Sequence, residues 1–138
     1  MENHTVLRVA GKLLIPFIML FALYVQFHGD FGPGGGFQAG VIFGAALILY
    51  GLLFGVERLE QVVRPDAVRV LAGSGLLLYA LVGVYGLLSG GNYLDYNVLA
   101  ENVLVGQHLG ILLIELGVGT TVAAVMIMLF CAFASREP

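Results

Sequence analysis

The stretch LGILLIELGVGTTVAAVMIMLFCAF, residues 109–133, holds 25 residues and one charge, Glu115. Its reading decides the fold. A helix rises about 1.5 Å per residue, so roughly 20 apolar residues cross the ~30 Å hydrocarbon layer of a bilayer. This stretch is long enough to do so, and three more apolar runs precede it, at 13–27, 37–56 and 68–88. The first is short, but it reaches spanning length when extended back through Thr5, because the long stems of Arg8 and Lys12 can carry their charges to the headgroups. The pattern predicts an all-α integral membrane protein, a single domain over 1–138 with four transmembrane helices at about 5–27, 36–56, 67–89 and 107–134.

Composition agrees. The chain of 138 residues is 59% hydrophobic and 11% charged, with a mean hydropathy of +0.97. Soluble domains carry about a quarter charged residues. A soluble core of this size could not hide the excess of apolar side chains, since much of a small domain's surface faces solvent. Three further spans follow the first and no small-x-small cleavage site ends it, so the first helix is expected to stay rather than leave as a signal peptide.

Basic residues set the expected orientation. Arg8, Lys12, Arg58, Arg64, Arg69 and Arg136 all fall on the side shared by the two termini and the 57–67 connection. The two opposite connections contain no Lys or Arg. The positive-inside rule then places both termini in the cytoplasm and leaves two outer loops, at 28–36 and 89–107. The second mixes tyrosines and acids with aliphatics, which suggests a short interfacial helix around 96–105 with Tyr93 and Tyr96 at headgroup level. A net charge of −3 without a dense basic cluster excludes a nucleic-acid partner. Cys131, the single cysteine, rules out an intrachain disulfide and reads as a small apolar filler.

Glycines dominate two of the spans. Gly36, Gly40, Gly44, Gly51 and Gly55 keep near one face of the second helix, and Gly75, Gly83, Gly86 and Gly90 do the same in the third, with Tyr79 among them. Glycine costs helix propensity, so such stripes belong where backbones approach closely. With two glycine faces on only four spans, at least one is expected to meet another protein. Pro16 removes a backbone donor inside the first span and marks a kink.

Glu115 stands about seven residues into its span, roughly 10 Å below the outer end by helical rise. Acids at that depth face a bundle interior, a cavity or an ion path. His108 lies seven residues earlier on nearly the same face, and Gly119 continues that face one turn deeper. Two readings stand for Glu115: an element of an outer proton or cation path beginning at His108, or a protonated carboxyl that bonds a neighbouring helix. His28 and Asp30, at the interface, are candidates for the same path or for a solvated structural pair. No cluster at metal-ligand spacing and no nucleophile-base constellation is present, so neither a metal, a cofactor nor a self-contained active site is expected.

The run HGDFGPGGGFQAG, residues 28–40, opens directly into the second span. Its elements His28-Gly29 and Pro33-Gly34-Gly35-Gly36-Phe37-Gln38-Ala39-Gly40 resemble the signature of the B subunit of the multisubunit Na+/H+ antiporters, the Mnh or Mrp type. Asp30-Phe31-Gly32 fills a gap where that signature varies. The resemblance covers essentially the whole chain. It implies a subunit of a hetero-oligomeric complex in a prokaryotic cell membrane that exports Na+ in exchange for H+, driven by the proton-motive force, with larger partner subunits carrying proton translocation. Similar B-type subunits occur in ion-pumping membrane-bound hydrogenases and related redox assemblies, and a purely scaffolding role is a further alternative.

Overall fold

A computed structural model of the chain describes residues 4–28, 34–95, 99 and 101–136. It contains five helices among these residues: α1 (Thr5–His28), α2 (Gly36–Phe54), α3 (Val56–Val62), α4 (Pro65–Leu88) and α5 (Val103–Ala134). Four of them, α1, α2, α4 and α5, are long and apolar enough to cross a membrane. Large apolar side chains such as Leu13, Phe17 and Phe21 stand half or more exposed, and only 17–33% of each candidate span is buried within the chain. In water such surfaces would drive association, whereas in lipid they match their surroundings.

Local chemistry sets the element boundaries. α2 ends where Gly55 takes φ 99°, and the Gly55 N–H still closes onto Gly51 O at 2.9 Å. A left-handed φ suits glycine because it has no Cβ to strike the following carbonyl. Nothing lies within 4 Å of where a Gly55 Cβ would sit, so this glycine, counted with the packing face from its spacing, terminates a helix instead. The chain then makes α3, a short helix in place of the plain connection expected at 57–67. Arg64 adopts an extended ψ of 135° before Pro65, which opens α4 where its missing N–H is no loss. The Asp66 carboxylate in that first turn accepts from Arg69 at 3.0 Å, an exposed pair. Asn102 caps α5 by accepting from the Leu104 N–H at 3.0 Å. The interfacial helix expected around 96–105 lies partly outside the described residues, and its described end, from Val103, belongs to α5. α1 continues as helix through Pro16.

The spanning helices form an arc in the order α1, α2, α5, α4. α5 packs against both α2 and α4, while α1 packs on α2 and touches α5 only slightly. At the end of the bundle shared by the start of α1 and the end of α2, Arg8 and Lys12 each sit 5.3 Å from the Phe54 ring centroid. Close by is the tightest apolar core, where Leu59, fully buried on α3, meets Leu47, Val68, Ala124 and Ile127. At the other end of α4 the 89–95 turn folds back. The Tyr93 ring packs against Gly83, and Gly86 lies against the main chain of Asn92 and Asp95.

Of the two glycine stripes, Gly36, Gly40, Gly44, Gly51, Gly75, Gly83 and Gly86 pack inside the chain, while Gly55 and Gly90 have nothing within 4 Å of their Cβ positions. Gly40 and Gly44 of α2 meet α5 at Gly119, Val122, Ala123 and Met126, and Gly51 takes the Phe130 ring. Gly75 of α4 meets Gly117 and Thr121 of α5, with a Cβ there falling 2.7 Å from the Gly117 carbonyl. Replacing Gly75 by alanine therefore forces α4 away from α5, and should destabilise the purified protein in detergent by about 1–3 kcal/mol. Gly73, in the same helix, has nothing within 4 Å of its Cβ position. Gly73→Ala should raise stability by up to ~1 kcal/mol, since it gains helix propensity without a clash. Equal thermal shifts for the two variants would contradict this packing.

Candidate functional site

The site forms where the first turn of α2 meets α5. Gly35 and Gly36 carry the chain into α2 with no side-chain cap, and Gly35 adopts φ 154°. The opening N–H groups of a helix lack partners within it and form its electropositive end. Against this end lies Glu115. A Cβ on Gly36 would collide with the Glu115 carbonyl oxygen and lie 2.8 Å from its Cα. Only hydrogen at position 36 lets the two backbones approach this closely.

The Glu115 side chain is held in the same place. From the Cβ position of Gly35, Gln38 Oε1 is 3.2 Å away and Glu115 Oε1 is 3.5 Å away. The acid and the amide thus share one side of the glycine turn, and Glu115 is half-buried rather than sealed off. One turn deeper the pattern repeats. A Cβ on Gly40 would stand 2.6 Å from the Gly119 carbonyl, and one on Gly119 would stand 3.0 Å from the Gly36 carbonyl. Gly36, Gly40, Glu115 and Gly119 therefore interlock as a single close crossing, with the carboxylate at its outer edge.

The structure brings together Gly35, Gly36, Gln38, Gly40 and Glu115, which lie far apart in sequence. Phe37, between them, points outward and is 60% exposed. His108 is exposed near the start of α5, two helical turns above Glu115. His28 ends α1 with its ring stacked on Tyr24, centroids 5.0 Å apart and planes 16° from parallel. Asp30 and Pro33 lie outside the described residues. Among the described residues no group of three or more His, Cys, Asp or Glu is placed to hold a metal ion.

Two participants were not singled out from sequence. Gln26, in α1, is 5% exposed, and its amide oxygen lies 2.8 Å from the Cβ position of Gly119. Its signal was available as an amide inside an apolar run, a residue type that is rare in lipid without a partner. Gly117 is the counterpart of Gly75, and Thr121 Oγ1 donates to its carbonyl at 2.8 Å. It was hidden because α5 alternates its packing between two neighbours and carries no stripe on a single face.

Four apolar helices that hold an acid against a glycine-opened helix start define a polytopic membrane protein with a titratable group inside its span. The profile of a family described as "Domain related to MnhB subunit of Na+/H+ antiporter" matches residues 6–128. Relatives from Staphylococcus aureus strains Newman and JH1, both named antiporter subunit mnhB2, are 35% identical over 129 residues, covering 91% of this chain and 91% of theirs. The chain belongs to the MnhB family of antiporter subunits, and is a component of a transporter.

The crossing makes a sharp prediction. Gly36→Ala should displace α2 from Glu115 and destabilise the protein by about 1–3 kcal/mol as overpacking does, whereas Phe37→Leu should cost little because that side chain is mostly outside. Thermal unfolding of the two purified variants measures the difference, and a Gly36→Ala protein as stable as the parent would rule out the close contact.

Proposed function

We propose that the chain is the B subunit of a hetero-oligomeric Na+/H+ antiporter in a bacterial cell membrane, and that Glu115 lies on its outer ion route. The juxtaposition of Glu115 Oε1 with Gly35 and Gln38 carries this reading, because it joins the acid of the last span to the signature run of the second. A carboxyl group that is half-buried can exchange with an aqueous phase. Such a group can bind and release a cation or proton as the complex cycles. α5, at 32 residues, is roughly 48 Å long and exceeds the ~30 Å hydrocarbon layer. Its first turns, with His108, then rise towards the headgroups while Glu115 stays within reach of water from that side. His108 and His28 form the entrance of the route, and partner subunits complete the path and couple it to the proton-motive force.

All six Lys and Arg residues belong to the end of the bundle that carries the termini and α3. The positive-inside rule makes this end cytoplasmic. With the endogenous Cys131 replaced by Ser, a cysteine at Asn92 should react with a membrane-impermeant maleimide in intact cells, and one at Ser135 only after permeabilisation. The reverse pattern would invert the topology.

A purely scaffolding subunit is the competing reading. Most of the glycines that would have served a scaffold are already covered within the chain, which favours the ion route. Glu115→Gln keeps the size of the side chain and removes its charge. Antiport in membrane vesicles should fall to a small fraction of the parent value while the partner subunits still co-purify. Full Na+/H+ exchange in a properly assembled Glu115→Gln complex would eliminate the route through this residue and leave the scaffold.

A further inference from the structure

In the hollow of the helix arc lies a cavity of about 430 Å³, bordered by all four spanning helices. Glu115 is not among its lining residues. Met19 and Leu23 of α1 form one wall, Leu71 of α4 the other, and Phe43 and Ala123 lie between them. Along α5 the lining runs from Leu116 to Ile127, which corresponds to roughly 16 Å of helix. The lining is almost wholly apolar.

Two observations define what could fill it. The first is shape. The end nearer α3 is bottomed by Leu47, Val68, Ala124 and Ile127, the residues that join Leu59 in the tightest core. A cavity of about 430 Å³ that follows roughly 16 Å of α5 is too small for a transmembrane helix about 10–12 Å wide and ~30 Å long, whereas a single slender hydrocarbon chain fits. The second is chemistry. At the end away from α3 stands Gln26, two residues before the end of α1, hence about 3 Å along the helix from its last residue. The residue is 5% exposed, and its Nε2 is buried without a hydrogen-bond partner among the described residues. A buried amide donor with no acceptor is destabilising, so the site calls for a ligand that supplies one.

A glycerophospholipid meets both demands, with an ester carbonyl just below its headgroup and a flexible apolar tail beneath. We propose that this cavity is a lipid-binding site that takes one acyl chain of a membrane phospholipid, with Gln26 Nε2 donating to its ester carbonyl. The site stands whether or not ions pass Glu115, because it uses neither that residue nor the glycine turn.

Reconstituting the antiporter complex in phosphatidylglycerol nanodiscs, with a fraction of the lipid carrying a photoreactive diazirine midway along the acyl chain, tests this directly. Adducts mapped by mass spectrometry should fall on the 39–47 and 116–127 segments. Gln26→Leu should lower them about fivefold, as loss of one neutral hydrogen bond implies, and Leu71→Trp at the rim should lower them by narrowing the mouth. Adducts on the outward-facing Phe17 should not change, which controls for assembly and lipid content. As a second readout, added phosphatidylglycerol should raise the melting temperature of the delipidated parent complex more than that of Gln26→Leu. Adducts confined to outward faces, labelling unaffected by both variants, or a peptide from another subunit crosslinked to the pocket residues would each overturn the proposal.

Discussion

The close crossing of glycine-faced helices on α5 is the constraint on which the rest of this protein depends. Lipid tails are as apolar as the helices they surround, so there is no hydrophobic force to hold the spans together once they are inserted. What remains is dispersion between well-fitted surfaces, and it falls off steeply with a gap of even half an ångström. Gly36 and Gly40 against Glu115 and Gly119, and Gly75 against Gly117, remove the side chains that would hold the backbones apart. α5 thereby becomes the central element, with α2 on one flank and α4 on the other. α1 then joins through α2, with Gly11 receiving the Leu53 side chain.

The same constraint creates the site. An acid in a membrane-spanning segment is costly unless its surroundings compensate. Here the compensation comes from a helix start that only glycine allows to come so near. The fit of Gly36 onto the Glu115 main chain is thus a packing feature and an electrostatic one at once: it brings the partial positive charge of the α2 terminus to the carboxylate. An extra methyl at that point would loosen the bundle and move the charge away from its acid. This links the glycine run, which looks like a flexible turn, to the single intramembrane acid some 75 positions later.

Membership of the MnhB family gives these contacts a setting. The relatives named antiporter subunit mnhB2 align across all four helices of the arc, over 91% of this chain. The chain's glycine faces are turned inward. Its large exposed apolar side chains stand on the outer faces of α1 and α4.

The sequence by itself determined the class and the number of spans, because a length of about 20 apolar residues is a property of the local chain and the bilayer. It also marked Glu115, since a charge in such a run stands out without any knowledge of its neighbours. The grouping of the basic residues was equally legible, since alternation of spans follows from counting them. Other features were decided only by the tertiary structure. Spacing placed Gly55 on a packing stripe, yet its left-handed φ and empty surroundings make it a helix end. Spacing could not say that the α2 stripe closes on α5 while Gly83 and Gly86 of α4 take the 89–95 turn, nor that Gly117 answers Gly75. Gln26 stands out in sequence as an amide inside an apolar run, but only the fold sets its side chain beside Gly119 of α5. The physical reason is the same in each case. Periodicity records which face of a helix is small or apolar, but which helix fills that face depends on contacts between segments distant in the chain. Those contacts are what set Glu115 against the glycine turn.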